Sequence, residues 1–393
     1  MLGRREAAAI GLVWLVWLGA IVATVGIGLG LGAYVWSPGW YEHHGLWPVY
    51  AWDYNWYDHI ARDGYPGGHG GREYAFFPLW PVLLRWAGTH WDVIVGGGGA
   101  WAASGAAFYG VAAGLPRARL RSALAIACWP GSFALALAYP DALALAAAAW
   151  AAALALRGKP LAAGVVGAIA AGARPNGVLI ALPLAWLARG HGPRAWIGAT
   201  LPVAAAVGVE AYFWTRSDDA TAFFDAQRLW GRDGPRGLGD WASHVSGLFE
   251  RHGLVLGLLA IAAVATLVLA WRRFGPWATL VGAYACAVPV LLAATRSLEG
   301  FVDSARAALV LPLLVVLWRL GPRYRPWAAF ATAVTGLLLL SGTIQSFGRQ
   351  SLFAFPIFWA IADGPRWLRY PPFAVLGFAS NLGLVLLLTH FAP

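Results

Sequence analysis

The chain has 393 residues, 60% of them hydrophobic and 12% charged, with a net charge of +10 and a mean hydropathy of +0.61. That balance excludes a water-soluble globular protein of this length and predicts an all-α polytopic membrane protein, a single integral membrane domain over residues 1–393. The basic residues fall between apolar runs rather than along one polar face, which argues against nucleic acid as a partner.

Runs such as DALALAAAAWAAALAL cannot alternate in polarity, so a β-barrel is excluded as well. Cys128 and Cys286 lie inside apolar runs and read as small core hydrophobes rather than a disulfide. The first run, Ile10 to Val35, follows MLGRRE. It is too long for a signal-peptide core and lacks a clear small-residue cleavage site, so it predicts a retained span with the amino terminus in the cytoplasm.

Residues 37–91 then form a first extracytoplasmic loop. Within it WDYNWYDHIARDGY, residues 52–65, gathers three carboxylates, a histidine and an arginine. A helix over 54–63 pairs Asp58 with Arg62 at i,i+4 and stops at Gly64 beside a solvated Asp63. Asp53 has no cation near it in sequence, so it either caps the helix or acts on a ligand, roles that one carboxylate can combine. His59 reads as a local hydrogen-bonding or headgroup-facing residue, and His43, His44, His69 and His90 form no metal-ligand set. EYAFFPLWPVLLRW, opened by Pro78 or Pro81, predicts a helix lying along the membrane interface.

Farther on, arginine clusters at 117–121, 157–159, 189–194, 272–273, 319–325 and 366–369 mark cytoplasmic loops. Tyr139-Pro140-Asp141 is a tight outer turn. The run 161–188, interrupted by Ala173-Arg174-Pro175-Asn176-Gly177, goes out and back as two short helices, bringing Arg174 to the outer face. A second large extracytoplasmic loop, 215–252, holds Asp218 and Asp219, read as exposed charges rather than metal ligands. Glu210 lies near the outer end of a span, where burying a carboxylate is costly. Outer segments at 295–304 and 342–350 follow, giving about 11–13 membrane-crossing or half-crossing segments in all. There is no internal repeat and no nucleotide-binding loop. The glycines at 95–99 follow no alternating strand and precede no P-loop lysine.

WDYNWYDHIARDGYP followed by AFFPLWPVLL resembles the first outer loop of the PIG-V mannosyltransferases and their bacterial relatives. Trp52, Asp53, Tyr57, Ile60, Ala61, Gly64, Tyr65, Phe76, Phe77, Pro78 and Pro81 stand at the matching positions. Tyr139 and Asp141 resemble the family's Tyr-Ser-Glu-Ser turn, with Asp for Glu. Arg174-Pro175-Asn176-Gly177 resembles its Arg-Ser-Asn-Gly turn, with Pro for Ser, and Arg349 before Phe355-Pro356 resembles its late Arg and Phe-Pro.

The resemblance implies a GT-C type fold with a catalytic first outer loop containing short interfacial helices. It implies inverting transfer of a mannosyl or related residue from a polyprenyl-phosphate sugar to an acceptor hydroxyl of a glycan, glycolipid or protein. The reaction would take place at the outer face of the plasma membrane, with no cofactor and no metal. On this reading Asp53 is the general base, and Tyr57, Tyr139, Asp141, Arg174, Asn176 and Arg349 bind the donor. Trp52, Gly64, Tyr65, Phe76, Phe77 and Pro78 support the motif. Arg296 and Arg306 are further candidates for the leaving phosphate. The rival readings are a transporter or flippase for a lipid-linked sugar, to which broken helices are equally natural, and a non-catalytic assembly partner. The gathering of polar residues on one face and in the first loop favours the transferase.

Overall fold

The structure is a computed structural model that describes residues 3–32, 47–50, 52–68, 70–88, 94–232, 298–341, 346–365 and 371–386. It is all-helical, with no strand among the described residues. Two of the described helices are long and apolar enough to cross a membrane, α1 (Arg4–Gly30) and α9 (Pro193–Ser217). Only 33% of the apolar stretch of α1 and 28% of that of α9 is buried. Leu12, Leu15 and Val16 on α1, with Ile197, Val203 and Val207 on α9, face outward. The core helix of a soluble protein buries such a surface, whereas hydrocarbon accepts it.

The interior is built on small residues. α6 (Asp141–Ala155) consists almost entirely of Ala and Leu and is buried along most of its length. It packs between α4 (Gly99–Gly114) and α7 (Pro160–Ala173), and α7 packs in turn on α9. Alanine side chains allow this close approach at no rotamer cost. α6 has 15 residues and α7 has 14, or about 22 and 21 Å at the helical rise, short of the roughly 30 Å of a hydrocarbon core.

The break expected at 173–177 is present. α7 stops at Ala173, a 3₁₀ turn covers Pro175–Ile180, and α8 (Ala181–Ala188) continues the chain and packs back on α7. α5 (Arg119–Ala127) packs on α1, and α10 (Ala222–Leu229) follows α9. The later helices are α11 (Leu298–Arg319), α12 (Arg325–Leu340), α13 (Phe347–Gln350), α14 (Pro356–Asp363) and α15 (Pro371–Leu386). α12 lies against α8, α11 against α14, and α15 against α1.

The carboxylate-rich segment is α2 (Asp53–Asp63), one residue longer at its start than the sequence predicts, and it packs on α3 (Leu79–Ala87). With nine residues α3 is too short to span. It buries Trp80, Pro81 and Leu84 and exposes Val82 and Trp86, the two-sidedness of an interfacial helix. Pro78 caps its start, and the Trp80 indole donates to the carbonyl of Ala138 at 3.1 Å, tying α3 to the turn that precedes α6. Arg272, Arg273, Cys286, Arg296, Arg366, Arg369, the histidines at 43, 44, 69 and 90, and loop residues 233–252 lie outside the described residues, as does the side chain of Arg306.

Candidate functional site

Three helix ends meet at one point. α2 and α6 each begin there with an aspartate as first residue, Asp53 and Asp141, and α7 ends there with Arg174 as its C-cap. Carboxylates at helix starts and a cation at a helix end follow the sense of the helix dipoles. Arg349 enters from α13 and joins them.

The Arg349 guanidinium donates to Asp53 Oδ2 at 2.6 Å, and its Nε lies 3.8 Å from Asp141 Oδ1. The same Asp141 oxygen forms an ion pair with Arg174. The Arg349 guanidinium carbon sits 5.2 Å from the centre of the Tyr139 ring, a cation–π contact. Burial alone would push Arg349 down, but Asp53 and Asp141 outweigh it and hold the guanidinium above its ordinary value. Of the four charged side chains Asp53 is the open one, 26% exposed, against 5% for Arg349, 6% for Asp141 and 14% for Arg174.

Tyr57, one turn along α2 from Asp53, is buried and faces the same cluster. Burial pushes its phenol well above its usual range, opposed by Arg174 and reinforced by Asp53 and Asp141, so it is a hydroxyl and not a phenolate at neutral pH. Burial does the same to Tyr139, with Asp53 adding to it. Asn176 is buried in the turn after Arg174 and completes a recess lined by Asp141, Arg174, Asn176, Arg349 and Phe353. All seven catalytic and donor-binding candidates therefore come together.

Two glycines make the convergence feasible. A Cβ on Gly177 would fall on the Ala170 carbonyl, so only glycine lets the turn after Arg174 fold back on α7. A Cβ on Gly131 would fall on the Gly348 carbonyl, so only glycine lets α13 approach closely enough to deliver Arg349. Trp52, φ 58° and ψ −114°, occupies a backbone region rare for a bulky residue just before Asp53.

The motif-supporting residues act through aromatic packing. Tyr65 donates to the Phe76 carbonyl at 2.5 Å and stacks on Tyr74. Phe77 meets Phe213 of α9 and Phe223 of α10 edge to face, and Phe76 meets Tyr57 the same way. Gly64, at φ 82°, ends α2 as expected. These contacts pack the segment between α2 and α3 against α9 and α10.

Two expectations are corrected. Asp53 is not left without a cation, because Arg349 reaches it from 296 positions away. Nor is it the N-cap: it is the first helical residue and makes no cap bond, Trp52 taking the cap position. Asp63 is solvent-exposed as expected, and His59 Nδ1 lies 2.9 Å from its carboxylate. Asp58 and Arg62 do pair, with Nε 2.9 Å from both carboxylate oxygens. Asp218 is the left-handed C-cap of α9, and Asp219 accepts from the Thr221 backbone and hydroxyl at the start of α10. Among the described residues no group of three or more His, Cys, Asp or Glu is placed to hold a metal ion.

The sequence gives no sign of Arg232. It follows the Gly231 turn that ends α10 and donates to Gln227 Oε1 at 3.1 Å. Burial, followed by Arg349 and Arg174, pushes its guanidinium down to about 10, while Asp53 and Tyr57 oppose the shift. It thus faces the same cluster as a third cation beside Arg174 and Arg349, against the two carboxylates of Asp53 and Asp141. In a polar loop an arginine carries no mark that separates it from its solvated neighbours. No protein-family model matches this chain, and comparison with curated proteins returns no match.

Proposed function

We propose that this chain is a multi-pass membrane glycosyltransferase of GT-C type, transferring a mannosyl or related residue from a polyprenyl-phosphate sugar to an acceptor hydroxyl. The observation that carries the reading is the pairing of one accessible carboxylate, Asp53, with the guanidiniums of Arg349, Arg174 and Arg232, of which Arg349 is buried. The carboxylate is a base that an acceptor can reach, and the surplus positive charge beside it is a seat for a leaving phosphate.

The chemistry follows from that arrangement. The acceptor O–H gives its proton to Asp53 as its oxygen bonds to the anomeric carbon. The bond from that carbon to the phosphate oxygen breaks, and its electron pair stays with the phosphate. The phosphate leaves as an anion and needs no proton, so guanidiniums serve it better than an acid would. Attack from the face opposite the phosphate inverts the sugar. Tyr57 and Tyr139, both neutral hydroxyls, line the path between base and cations. Arg349, which donates to Asp53, orients the carboxylate and turns toward the phosphate as it arrives.

The exposed apolar faces of α1 and α9 and the apolar half-length helices support a polytopic arrangement. In it the amino terminus is cytoplasmic and the α2 end of the molecule, with the site, lies at the outer face of the plasma membrane. Membranes carrying the protein, given radiolabelled polyprenyl-phosphate mannose and a glycolipid acceptor extract, are expected to transfer label. Asp53→Asn is expected to abolish transfer at unchanged expression. Normal transfer by that variant would remove Asp53 as the base, and label that crosses the bilayer without new glycosidic bonds would favour a flippase.

A further inference from the structure

The end of the molecule away from Asp53 carries a charge cluster of its own. Just before α4, Gly96 lies against Tyr54 and Ala138, whereas Gly110 near the end of α4 lies against Ala149 and Trp150. α4 therefore runs from the Asp53 end to the end where α6 meets the Arg157–Lys159 turn. Three segments bring exposed arginines there: Arg4 and Arg5 at the start of α1, Arg117 between α4 and α5, and Arg323 in the 3₁₀ turn Pro322–Tyr324 between α11 and α12. Two carboxylates lie among them and both are engaged. Glu6 pairs with Arg119, and Asp363 accepts from the Tyr324 hydroxyl.

Tyr324 fixes the geometry. It is buried, and the Arg323 guanidinium carbon sits 5.0 Å from the centre of its ring. Burial and the bond to Asp363 push its phenol up, while Arg323 and Arg117 pull it down, so both guanidiniums stand within electrostatic reach of one ordered hydroxyl. Among the described residues neither Arg117 nor Arg323 makes an ion pair. Orientation of the spans needs basic residues on this side, but it does not need two of them around one side chain. Like charges held together repel, and an anion shared between them turns the repulsion into attraction. The oxygens of a phosphate match the guanidinium fork.

The surface beside the arginines says what carries the phosphate. α5 starts beside Glu6, and by Ser132 the chain has reached Trp17, so α5 runs from the basic end toward the middle of α1. Leu120 and Leu124, four apart on one face of α5, are exposed. A free phosphate or an acidic peptide would use the arginines and leave this apolar track empty. A phospholipid uses both. We infer that Arg117 and Arg323 form a docking site for an anionic phospholipid of the cytoplasmic leaflet, its phosphate bridging the two guanidiniums and an acyl chain lying along Leu120 and Leu124. The site rests on the membrane reading of the chain and not on the transferase reading, because it lies at the end opposite Asp53. The bound lipid would tie α5 to the α11–α12 connection across α14, which packs on both α5 and α11.

Native mass spectrometry of the full-length protein, purified in detergent and given equal amounts of dioleoyl phosphatidylglycerol and dioleoyl phosphatidylcholine, reads the preference directly. Phosphatidylglycerol is expected to be retained about tenfold or more over phosphatidylcholine, since each arginine near an anionic headgroup is worth roughly fivefold. The double variant Arg117→Gln, Arg323→Gln is expected to bring that preference to within about twofold. Arg157→Gln, which removes another exposed arginine from the same end, is expected to leave it unchanged. Glycerol 1-phosphate and hexaglutamate at matched concentration are expected not to displace the lipid. Equal retention of the two lipids by the unaltered protein overturns the site, a result that no misfolded variant can produce. So does an unchanged preference in a double variant that keeps its thermal unfolding temperature. A loss in Arg157→Gln as large as in the double variant reduces the effect to general surface charge and overturns it too. Displacement by glycerol 1-phosphate would make this a free-phosphate site, and displacement by hexaglutamate would assign it to an acidic protein segment; either removes the lipid.

Discussion

Arg349 and Asp53 stand 296 positions apart in the chain and 2.6 Å apart in space, and the character of arginine explains why one residue can serve so many neighbours. Its planar fork presents one nitrogen to Asp53 and another toward Asp141 while its face lies over Tyr139. Lysine has the charge but neither the fork nor the plane. Arg349→Lys is therefore expected to lower kcat/KM for label transfer by about 10²-fold or more, in the range seen when one charge-stabilising donor is removed. Arg349→Ala leaves Asp141 and Asp53 facing each other with one cation fewer. It is expected to cost roughly 3 kcal/mol of stability, the low end for a broken buried pair because Asp53 is 26% exposed. Label-transfer kinetics check the first variant, and thermal unfolding in detergent checks the second.

Arg232 supplies the pH dependence. Its guanidinium is pushed down to about 10 from an ordinary 12.5, so as pH rises through 10 the folded protein loses this charge before the unfolded chain does. Two opposite effects follow. Stability contributed by this group increases between about pH 10 and 12.5, because there the unfolded state binds the proton and the folded state does not. Attraction for an anionic phosphate falls over the same rise. The donor KM is expected to climb as pH passes 10, with kcat less affected, and Arg232→Gln is expected to show the raised KM at pH 7 and no further climb. An identical alkaline limb in Arg232→Gln would mean that another group titrates there.

At the scale of helices, the approach of α13 to the rest of the site depends on Gly131, whose missing Cβ makes room for the Gly348 carbonyl. Gly131→Ala is expected to push α13 outward and reduce transfer by about 10²-fold, the effect of moving a positioned group by roughly 1 Å. Gly336 on α12 has open space where a Cβ would go, and Gly336→Ala is expected to leave transfer unchanged and to stabilise slightly through helix propensity. Activity equal in the two alanine variants would show that the close approach is not needed.

The same scale shows what the sequence makes legible. Asp53 and Arg174 could be read from it because a charge in so apolar a chain is costly unless it is paired or used, and Asp141 and Arg349 through the motif resemblance. The α7–α8 break was legible because Pro175 has no N–H to donate within a helix and its ring clashes with the preceding turn. The contact between Arg349 and Asp53 was not legible, since nothing local links residues so far apart. Nor were most helix boundaries. An Ala- and Gly-rich run such as that around α4 and α6 carries the same hydropathy inside a helix as at its end, so length cannot be told from pattern. Arg232 was hidden for the opposite reason, a charge among charges.

For the whole molecule, the question is which surfaces meet lipid. α6 is buried by its neighbours on nearly all sides, whereas α1 and α9 turn most of their apolar surface outward. The first is a central helix and the other two are peripheral. If the peripheral faces meet hydrocarbon, the protein should resist extraction from membranes at pH 11 and high salt, which releases proteins held by charge alone. The proposed orientation rests on which ends carry basic residues. The exposed Arg157-Gly158-Lys159 turn joins α6 to α7 at the end opposite Asp141 and Arg174, and positive charge of this kind is retained in the cytoplasm. The exposed Gly67 lies in the segment after α2, at the site end. In a background with both native cysteines replaced by serine, Gly67→Cys is expected to react with a membrane-impermeant maleimide in intact cells. Lys159→Cys is expected to react only after the membrane is opened. The reverse pattern would place the Asp53 cluster in the cytoplasm, where a donor presented at the outer leaflet could not reach it, and the transferase reading would need a donor on the other side.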